Sequence, residues 1–309
     1  MILLKQMIVL FLLMATGFIC RKIGLLNEEA SKKLSGLVVN VANPALILSS
    51  GINPVSPLGG LELLKIFCLA VSVYIVTIFV AVLFSCLLPV SKKDRGLYQA
   101  MMIFSNIGFM GFPLISAIYG EHAMVMATAF LIPYNILIYT FGIHVIAGKS
   151  EGGKEKKTSA MEIIKKILNV GIFACILSIV LYMTQVHVPS VIEDTVDYLG
   201  SLAAPLSMII IGDSLTTIKI KELLSDWKLL LFSVVSLLVV PAAGILLLKT
   251  CGITGELLGV CMIMLATPVG SMNVMLAQQY GGDSKLVSKG VALTTVLSVV
   301  TIPLVSMLI

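Results

Sequence analysis

Two short windows that combine polar residues, glycine and proline lie inside apolar stretches long enough to cross a membrane. The first is Ser105–Pro113 (SNIGFMGFP) within Leu97–Ile118, and the second is Thr267–Asn273 (TPVGSMN) within Leu257–Gln279. A spanning helix that is interrupted at membrane depth needs protein or a cavity to receive its freed backbone groups. Paired interruptions in two halves of a chain are typical of transporter binding sites. The windows therefore predict two broken helices with a substrate between them.

The chemistry available at such breaks is anion binding. A half-helix that begins near the membrane midplane offers free N–H groups and the positive end of its dipole. Proline is compatible with such a start because its missing N–H would be unpaired anyway. We expect a substrate carboxylate at the amides that follow Pro113 and at those from Gly270 to Asn273. The side chains expected to bind it are Ser105, Asn106, Ser271 and Asn273, with Pro268 placing the second break.

A further amide lies at Asn43, directly before Pro44, which should end the helix there. Asn40 lies three residues earlier and should share its helix face. Asparagine in a spanning helix also commonly bonds to a neighbouring helix. Both a substrate contact at Asn43 and a packing role therefore stay open.

Ionisable residues within the predicted spans are few, and such residues are functional candidates by default. Asp213 could bind a coupling proton or cation, but we favour an interfacial carboxylate that faces the loop containing Lys219 and Lys221. The six cysteines have no metal-binding spacing, and no cofactor or metal site is expected. An intramembrane enzyme would need a nucleophile with its base, or metal ligands, at depth. No such pattern is present, so we expect no enzyme.

Composition predicts a polytopic, all-α membrane protein. The 309 residues are 58% hydrophobic and 12% charged, with a mean hydropathy of +1.07, whereas soluble domains contain about 25% charged residues. The sequence shows no separately folded basic surface that could bind nucleic acid. Ten runs have the length of a span: Leu3–Cys20, Leu34–Ser50, Ile66–Leu88, Leu97–Ile118, Ala123–Ala147, Ile167–Met183, Val196–Leu215, Leu229–Leu248, Leu257–Gln279 and Leu286–Leu308.

Positive charge predicts the orientation of these spans. Of the 21 Lys and Arg residues, 18 fall in the loops that follow odd-numbered spans, and only Lys5, Lys65 and Lys249 fall on the other side. Short loops rich in positive charge stay in the cytoplasm. We therefore expect a multi-pass protein of the cell membrane with both termini outside.

An internal repeat is visible at an offset of 161 residues. Pro44 pairs with Pro205, Gly51 with Gly212, and Tyr119 with Tyr280. Five spans per half would give the halves opposite orientations, as in many secondary transporters. We predict a first five-helix repeat at residues 1–147, a cytoplasmic linker at 148–160 and a second, inverted repeat at 161–309.

The ten predicted spans, Asn43-Pro44 and the first window, Ser105-Asn106-x-Gly108-x-x-Gly111-x-Pro113, together resemble the auxin efflux carrier family. The short central loop is similar to that of bacterial members rather than plant PIN proteins. The resemblance implies helices 4 and 9 that cross at their broken midpoints, as in bile-acid symporters and NhaA, and a scaffold against which they move. It also implies homodimers and organic-anion substrates. It assigns the crossing to Asn106, Pro113, Pro268 and Asn273, and a helix 2 contact to Asn43.

These observations predict a secondary transporter of small organic anions, such as carboxylates or dicarboxylates. It would work by alternating access, with the substrate at the crossing of helices 4 and 9. One alternative is a sodium- or proton-coupled symporter of the bile-acid type. Another is a membrane sensor that binds its ligand without moving it across the bilayer.

Overall fold

Nearly all of the described chain is helical. The computed structural model describes residues 2–49, 51–52, 59–147, 170–216, 225–280 and 282–309. The predicted linker at 148–160 lies outside these residues, as do Lys219 and Lys221. Within them, the single departure from helices and connecting turns is an isolated antiparallel β-bridge between Ser105 and Val269.

The described residues of the first half form six α-helical segments, three of which contain a π-helical turn, and a short 3-10 helix at Glu121–Ala123. In chain order they are α1 (Ile2–Lys22), α2 (Glu28–Leu37, a π turn at Val38–Ala42, then Asn43–Ser49), α3 (Gly60–Leu87), α4 (Lys92–Ile103), α5 (a π turn at Ile107–Gly111, then Phe112–Tyr119) and α6 (Met124–Leu137, a π turn at Ile138–Gly142, then Ile143–Ala147). The predicted fourth span thus corresponds to α4 and α5.

The described part of the second half also forms six segments. They are α7 (Val170–Thr184), α8 (Ser190–Leu215), α9 (Trp227–Thr250, with a π turn at Val235–Val239), α10 (Gly255–Ala266), α11 (Met272–Tyr280) and α12 (Ser284–Ser306). The predicted ninth span corresponds to α10 and α11.

Prolines explain three of the π turns. Pro44, Pro113 and Pro241 each lie two residues after the end of a π turn. A proline inside a helix removes one hydrogen bond and its ring clashes with the carbonyl four residues earlier. A π turn widens the helix at that place, so the helix continues past the ring. The expectation that Pro44 ends its helix is therefore wrong.

Capping side chains fix the starts of several helices. Ser91 accepts a hydrogen bond from the N–H of Asp94 at the start of α4 (3.1 Å). Asp226 accepts one from the N–H of Leu229 at the start of α9 (3.2 Å). Asp283 does the same at the start of α12, where it accepts two backbone N–H groups. Each cap satisfies amides that lack a partner within the helix.

Several helices have the length and composition of membrane spans. Four in the described residues pass both criteria: Gly60–Leu87, Ser190–Leu215, Trp227–Thr250 and Ser284–Ser306. Met124–Leu137 and Thr140–Ala147, bent by 41° relative to each other, would together count as a fifth. The halves of the interrupted spans, such as Ile107–Tyr119 and Gly255–Ala266, are too short to cross alone.

Glycines allow the two halves of the chain to pack closely against each other. α1 lies against the second part of α8, and a Cβ on Gly212 would overlap the backbone carbonyl of Met14. α7 lies against the end of α2, and a Cβ on Gly51 would overlap the carbonyl of Ser178. Small residues at such contacts let helix backbones approach in a membrane. Gly51 and Gly212 are 161 residues apart, which is the offset of the repeat predicted from the sequence.

Candidate functional site

The interruptions in the fourth and ninth predicted spans meet and pair with each other. The N–H of Asn106 donates to the carbonyl of Pro268 at 2.7 Å, and the N–H of Gly270 donates to the carbonyl of Phe104 at 3.0 Å. The β-bridge between Ser105 and Val269 lies between these bonds. Backbone groups freed by each break are thus satisfied by the other, as a break at membrane depth requires.

Side chains fasten the crossing further. Asn273 is fully buried, and its Nδ2 donates to the carbonyls of Phe104 (2.7 Å) and Gly270 (2.9 Å). Ser105 Oγ donates to the carbonyl of Met264 in α10 (3.0 Å). The N–H of Val269 donates to Thr294 Oγ1 in α12 (3.1 Å). The side chains of Asn273 and Ser105 therefore both donate hydrogen bonds to backbone carbonyls at the crossing.

A cavity of about 110 Å³ lies beside the crossing. Four asparagines from three parts of the chain contribute to its wall: Asn40 and Asn43 from α2, Asn106 from the first break, and Asn135 from α6. The remaining lining residues are Ser105, Gly108, Phe109, Leu131, Tyr134, Val170, Gly171, Gly270, Ser271 and Met272. None of these side chains is ionisable at neutral pH. The described wall is therefore uncharged and largely apolar, with amides and hydroxyls as its polar groups.

Residues at the start of a helix in each interrupted span also line this cavity. The N–H groups of Gly108 and Phe109 belong to the first turn of α5, and those of Ser271 and Met272 belong to the start of α11. None of the four donates to another group within the described residues. The first four N–H groups of a helix have no partner inside it. Two helix starts thus lie at the wall of one small cavity, and four of their N–H groups have no acceptor among the described residues.

Three buried side-chain atoms at the crossing also lack a partner among the described residues. They are Asn43 Oδ1, Asn106 Nδ2 and Asn273 Oδ1. An unsatisfied buried polar group costs about 1–3 kcal/mol, so native structures rarely keep one without a reason. Asn43 and Asn106 line the cavity. A bound polar ligand or water there would satisfy both.

The residues predicted from the sequence divide into two groups. Asn43, Ser105, Asn106, Gly270 and Ser271 line the cavity, whereas the three others do not. Asn273 lies fully buried at the crossing, and Pro268 contributes its carbonyl to the backbone pairing.

Pro113 does not mark the start of the second half-helix. The break occupies residues 104–106, and α5 begins at Ile107 because its π turn accommodates Pro113. The free amides are therefore those of Gly108 and Phe109, upstream of the proline, rather than those that follow it.

Asn135 and Tyr134 are cavity residues that the sequence reasoning missed. Asn135 is mostly buried, and its Nδ2 donates to the carbonyl of Leu131 one turn earlier (2.9 Å). A lone amide in an otherwise apolar span was the available signal, since such residues commonly face a bundle interior. Asn40 also lines the cavity, one helix turn before Asn43.

Asp213 lies away from this cavity. It is 6% exposed, and its Oδ1 lies 3.5 Å from Nη1 of Arg21 at the end of α1. Among the described residues its charged partner is therefore on α1. Lys219 and Lys221, the partners expected from the sequence, lie outside that part of the chain.

A second cavity, of about 150 Å³, adjoins the crossing. It shares Phe109 and Ser271 with the first and adds four hydroxyls, from Ser35, Ser207, Ser214 and Ser288. Within the described residues no group of three His, Cys, Asp or Glu side chains is placed to hold a metal ion. The polar chemistry of both cavities is thus that of amides and hydroxyls.

Comparison with known proteins agrees with this geometry. A family model described as "Membrane transport protein" matches residues 2–306. The chain is 26% identical over 310 residues to an uncharacterized transporter of Methanocaldococcus jannaschii, with 98% of each chain covered. It is also 26% identical over 298 residues to an uncharacterized transporter of Methanothermobacter thermautotrophicus, which covers 94% of this chain and 93% of that one. With paired helix interruptions and a family match over nearly its whole length, the chain belongs to the auxin efflux carrier family of membrane transport proteins.

Proposed function

We propose that this transporter moves small organic anions, such as carboxylates or dicarboxylates, and holds the carboxylate at the crossing. The observation that carries the proposal is the set of four free amides, on Gly108, Phe109, Ser271 and Met272, at the wall of one cavity. Amides at helix starts bind anions without a charged side chain. A neutral site also releases its ligand more readily than an ion pair does, since no opposite charge holds the ligand.

The amides of the cavity wall supply the remaining contacts. Asn106 Nδ2 is a buried donor with no described partner and lies directly before α5. Asn43 lies close to the same helix start, because a Cβ on Gly108 would be 3.6 Å from its amide atoms. A carboxylate at the amides of Gly108 and Phe109 would accept a hydrogen bond from Asn106. Asn43 would then contact the body of the substrate.

An inverted repeat would explain how the two helix starts come together. We propose ten spans in two five-helix repeats, residues 1–147 and 161–309, joined by a cytoplasmic linker at 148–160. Each half has the same order of segments, with an interrupted span in fourth place. The contact of α1 with α8 and that of α7 with α2 also correspond under the repeat offset. These correspondences support an inverted repeat.

Alternating access follows from this arrangement. The crossing helices would move against a scaffold formed around α1, α2, α7 and α8, so that the cavity opens to each side in turn. Both termini would lie outside the cell membrane. The membrane potential, which is negative inside, is worth about 2.3 kcal/mol per charge per 100 mV and favours export of an anion. A homodimer is expected from the family resemblance alone.

Coupling to a cation is the second candidate mechanism, and one observation favours it. Asn43 Oδ1 and Asn273 Oδ1 are buried acceptors without a described partner, and amide oxygens are suitable ligands for hard cations. Sodium-dependent uptake would identify this symporter mechanism. Asp213 would then be tested as a proton site by comparing uptake at several pH values in the wild type and in Asp213→Asn.

Transport assays in proteoliposomes test the proposal. Uptake of labelled malate, malonate and indole-3-acetate is measured with and without an imposed potential or pH gradient, in the wild type and in Asn106→Ala. Thr16→Ala is the matched control, because the one hydrogen bond that Thr16 makes within the described residues is to Leu12 on the same helix. We expect saturable uptake that is lost in Asn106→Ala alone. Binding without uptake would instead indicate a sensor. The absence of both binding and uptake would refute the anion site.

A further inference from the structure

A wide cleft lies at one end of the helix bundle, where α4, α9 and α12 begin. Its volume is about 710 Å³, and it opens to the surface. Three lysines lie in its wall: Lys228 in the first turn of α9, and Lys285 and Lys289 in α12. Among the residues that the structure describes, the cleft shares none with the two cavities beside the crossing. Nothing in the proposed transport mechanism uses it.

Two carboxylates share the cleft, but helix starts already engage both. Asp94 Oδ2 accepts a hydrogen bond from Ser91 Oγ at 2.7 Å in the first turn of α4. Asp226 Oδ1 accepts the N–H of Leu229 in the first turn of α9. The positive ends of the helix dipoles offset negative charge at these positions. Lys228 and Lys285 form no ion pair with any residue that the structure describes. The described wall holds three lysines and two aspartates, so its net charge is positive.

An apolar strip extends from the mouth of the cleft along α9. Trp227 is 55% exposed, Leu231 42% and Val234 48%. Their spacing of four and three residues places them on one side of the helix. Trp227 is the single tryptophan of the chain, and tryptophan is enriched where a membrane meets water. A positive cleft thus continues into a surface that suits an acyl chain.

We propose that this cleft binds the headgroup of an anionic phospholipid, with one acyl chain along Trp227, Leu231 and Val234. Basic pockets between spanning helices recognise anionic headgroups. The phosphate lies between Lys228 and Lys285, and the glycerol backbone lies at Trp227. A free anion would have the same charge but no use for the apolar strip, and this difference identifies a lipid as the ligand.

Native mass spectrometry of the purified full-length protein measures the affinity for phosphatidylglycerol. The double variant Lys228→Gln, Lys285→Gln should bind it roughly 30-fold more weakly, because each lysine near an anionic lipid surface contributes a factor of about five. The control is Lys32→Gln, Lys33→Gln, which removes the same charge from exposed positions on α2. If the double variant does not fold, each single variant should show a loss of about fivefold.

Two further measurements decide the identity of the ligand. Phosphatidylcholine should bind equally to the wild type and the double variant, and glycerol phosphate in large excess should not displace phosphatidylglycerol. Equal loss of affinity in the variant and its control would overturn the proposal. So would displacement by glycerol phosphate, which would identify a site for free anions.

Discussion

Substitution of Gly270 by alanine tests whether the backbone pairing at the crossing is needed for function. A Cβ at this position would lie 2.9 Å from the carbonyl oxygen of Phe104 and 3.0 Å from that of Ser105. Both contacts are with backbone, which has no rotamer to move aside. The two breaks must therefore separate by several tenths of an ångström, and the hydrogen bond from the N–H of Gly270 to Phe104 lengthens beyond its present 3.0 Å.

The expected cost has two parts. Forced overpacking costs about 1–3 kcal/mol, and the weakened hydrogen bond adds about 1 kcal/mol. Alanine loses less chain entropy on folding than glycine, so the substitution also stabilises the folded state by about 0.5–1 kcal/mol. Gly270→Ala should therefore lower the free energy of unfolding by roughly 1–3.5 kcal/mol. It should also abolish uptake, because the free amides of Ser271 and Met272 move with the displaced backbone.

Gly111→Ala is the matched control at the same crossing. A Cβ on Gly111 would lie 3.6 Å from Thr267 Cγ2, an ordinary contact, and alanine is the better helix former by about 1 kcal/mol. This variant should keep wild-type stability and uptake. Unfolding of both variants is followed by denaturant titration in detergent micelles. Equal stability of Gly270→Ala and Gly111→Ala would refute the tight pairing of the two breaks.

Three more predictions concern the cavity wall and its surroundings. Asn135→Ala should reduce the uptake rate at least tenfold, which corresponds to about 1.4 kcal/mol of activation free energy. Stability should change little, because the hydrogen bond from Asn135 to Leu131 lies within one helix. Unchanged uptake would show that Asn135 is not part of the site. Arg21→Gln should destabilise the protein by about 2 kcal/mol, less than a fully buried pair because Arg21 is partly exposed, and adding Asp213→Asn should restore most of the loss. Absence of that rescue in unfolding measurements would show that the two charges are not coupled. Pro44→Ala should raise stability yet lower uptake, since α2 could then lose its π turn and rotate Asn43 away from the cavity; retained uptake would contradict this.

The position of the second break could be predicted from the sequence, whereas that of the first was displaced. Thr267–Asn273 contains the observed break at Thr267–Ser271, because Pro268 leaves the chain few alternatives. In the first window, Pro113 could either end a helix or be accommodated within one. Because of the π turn at Ile107–Gly111, Pro113 lies within the helix, and the break is at residues 104–106. Local sequence does not distinguish these outcomes, because the pairing partner is a distant segment.

Side-chain roles were harder to predict than positions. Asn106 is near the start of the first window and Asn273 ends the second, and both were expected to bind substrate. In the structure Asn106 lines the cavity, whereas Asn273 is buried and donates hydrogen bonds to the carbonyls of Phe104 and Gly270. The difference depends on which backbone oxygens each amide meets after the helices cross. Asn135 was missed for a similar reason, since one polar residue in a span indicates neither a cavity nor its direction.

The close contact of α1 with α8 has a consequence for biosynthesis. Gly17 packs against the backbone of Ile209, roughly 190 residues later in the chain. In the same way, α7 of the second half packs against α2 of the first. During translation the first half would therefore enter the bilayer with its glycine-rich surfaces covered only by lipid. These helices acquire their final neighbours once the second half has been synthesised. A ribosome that stalls near the middle of the message would release a product whose inserted helices lack their partners, and such a product should be a preferred substrate for membrane proteases.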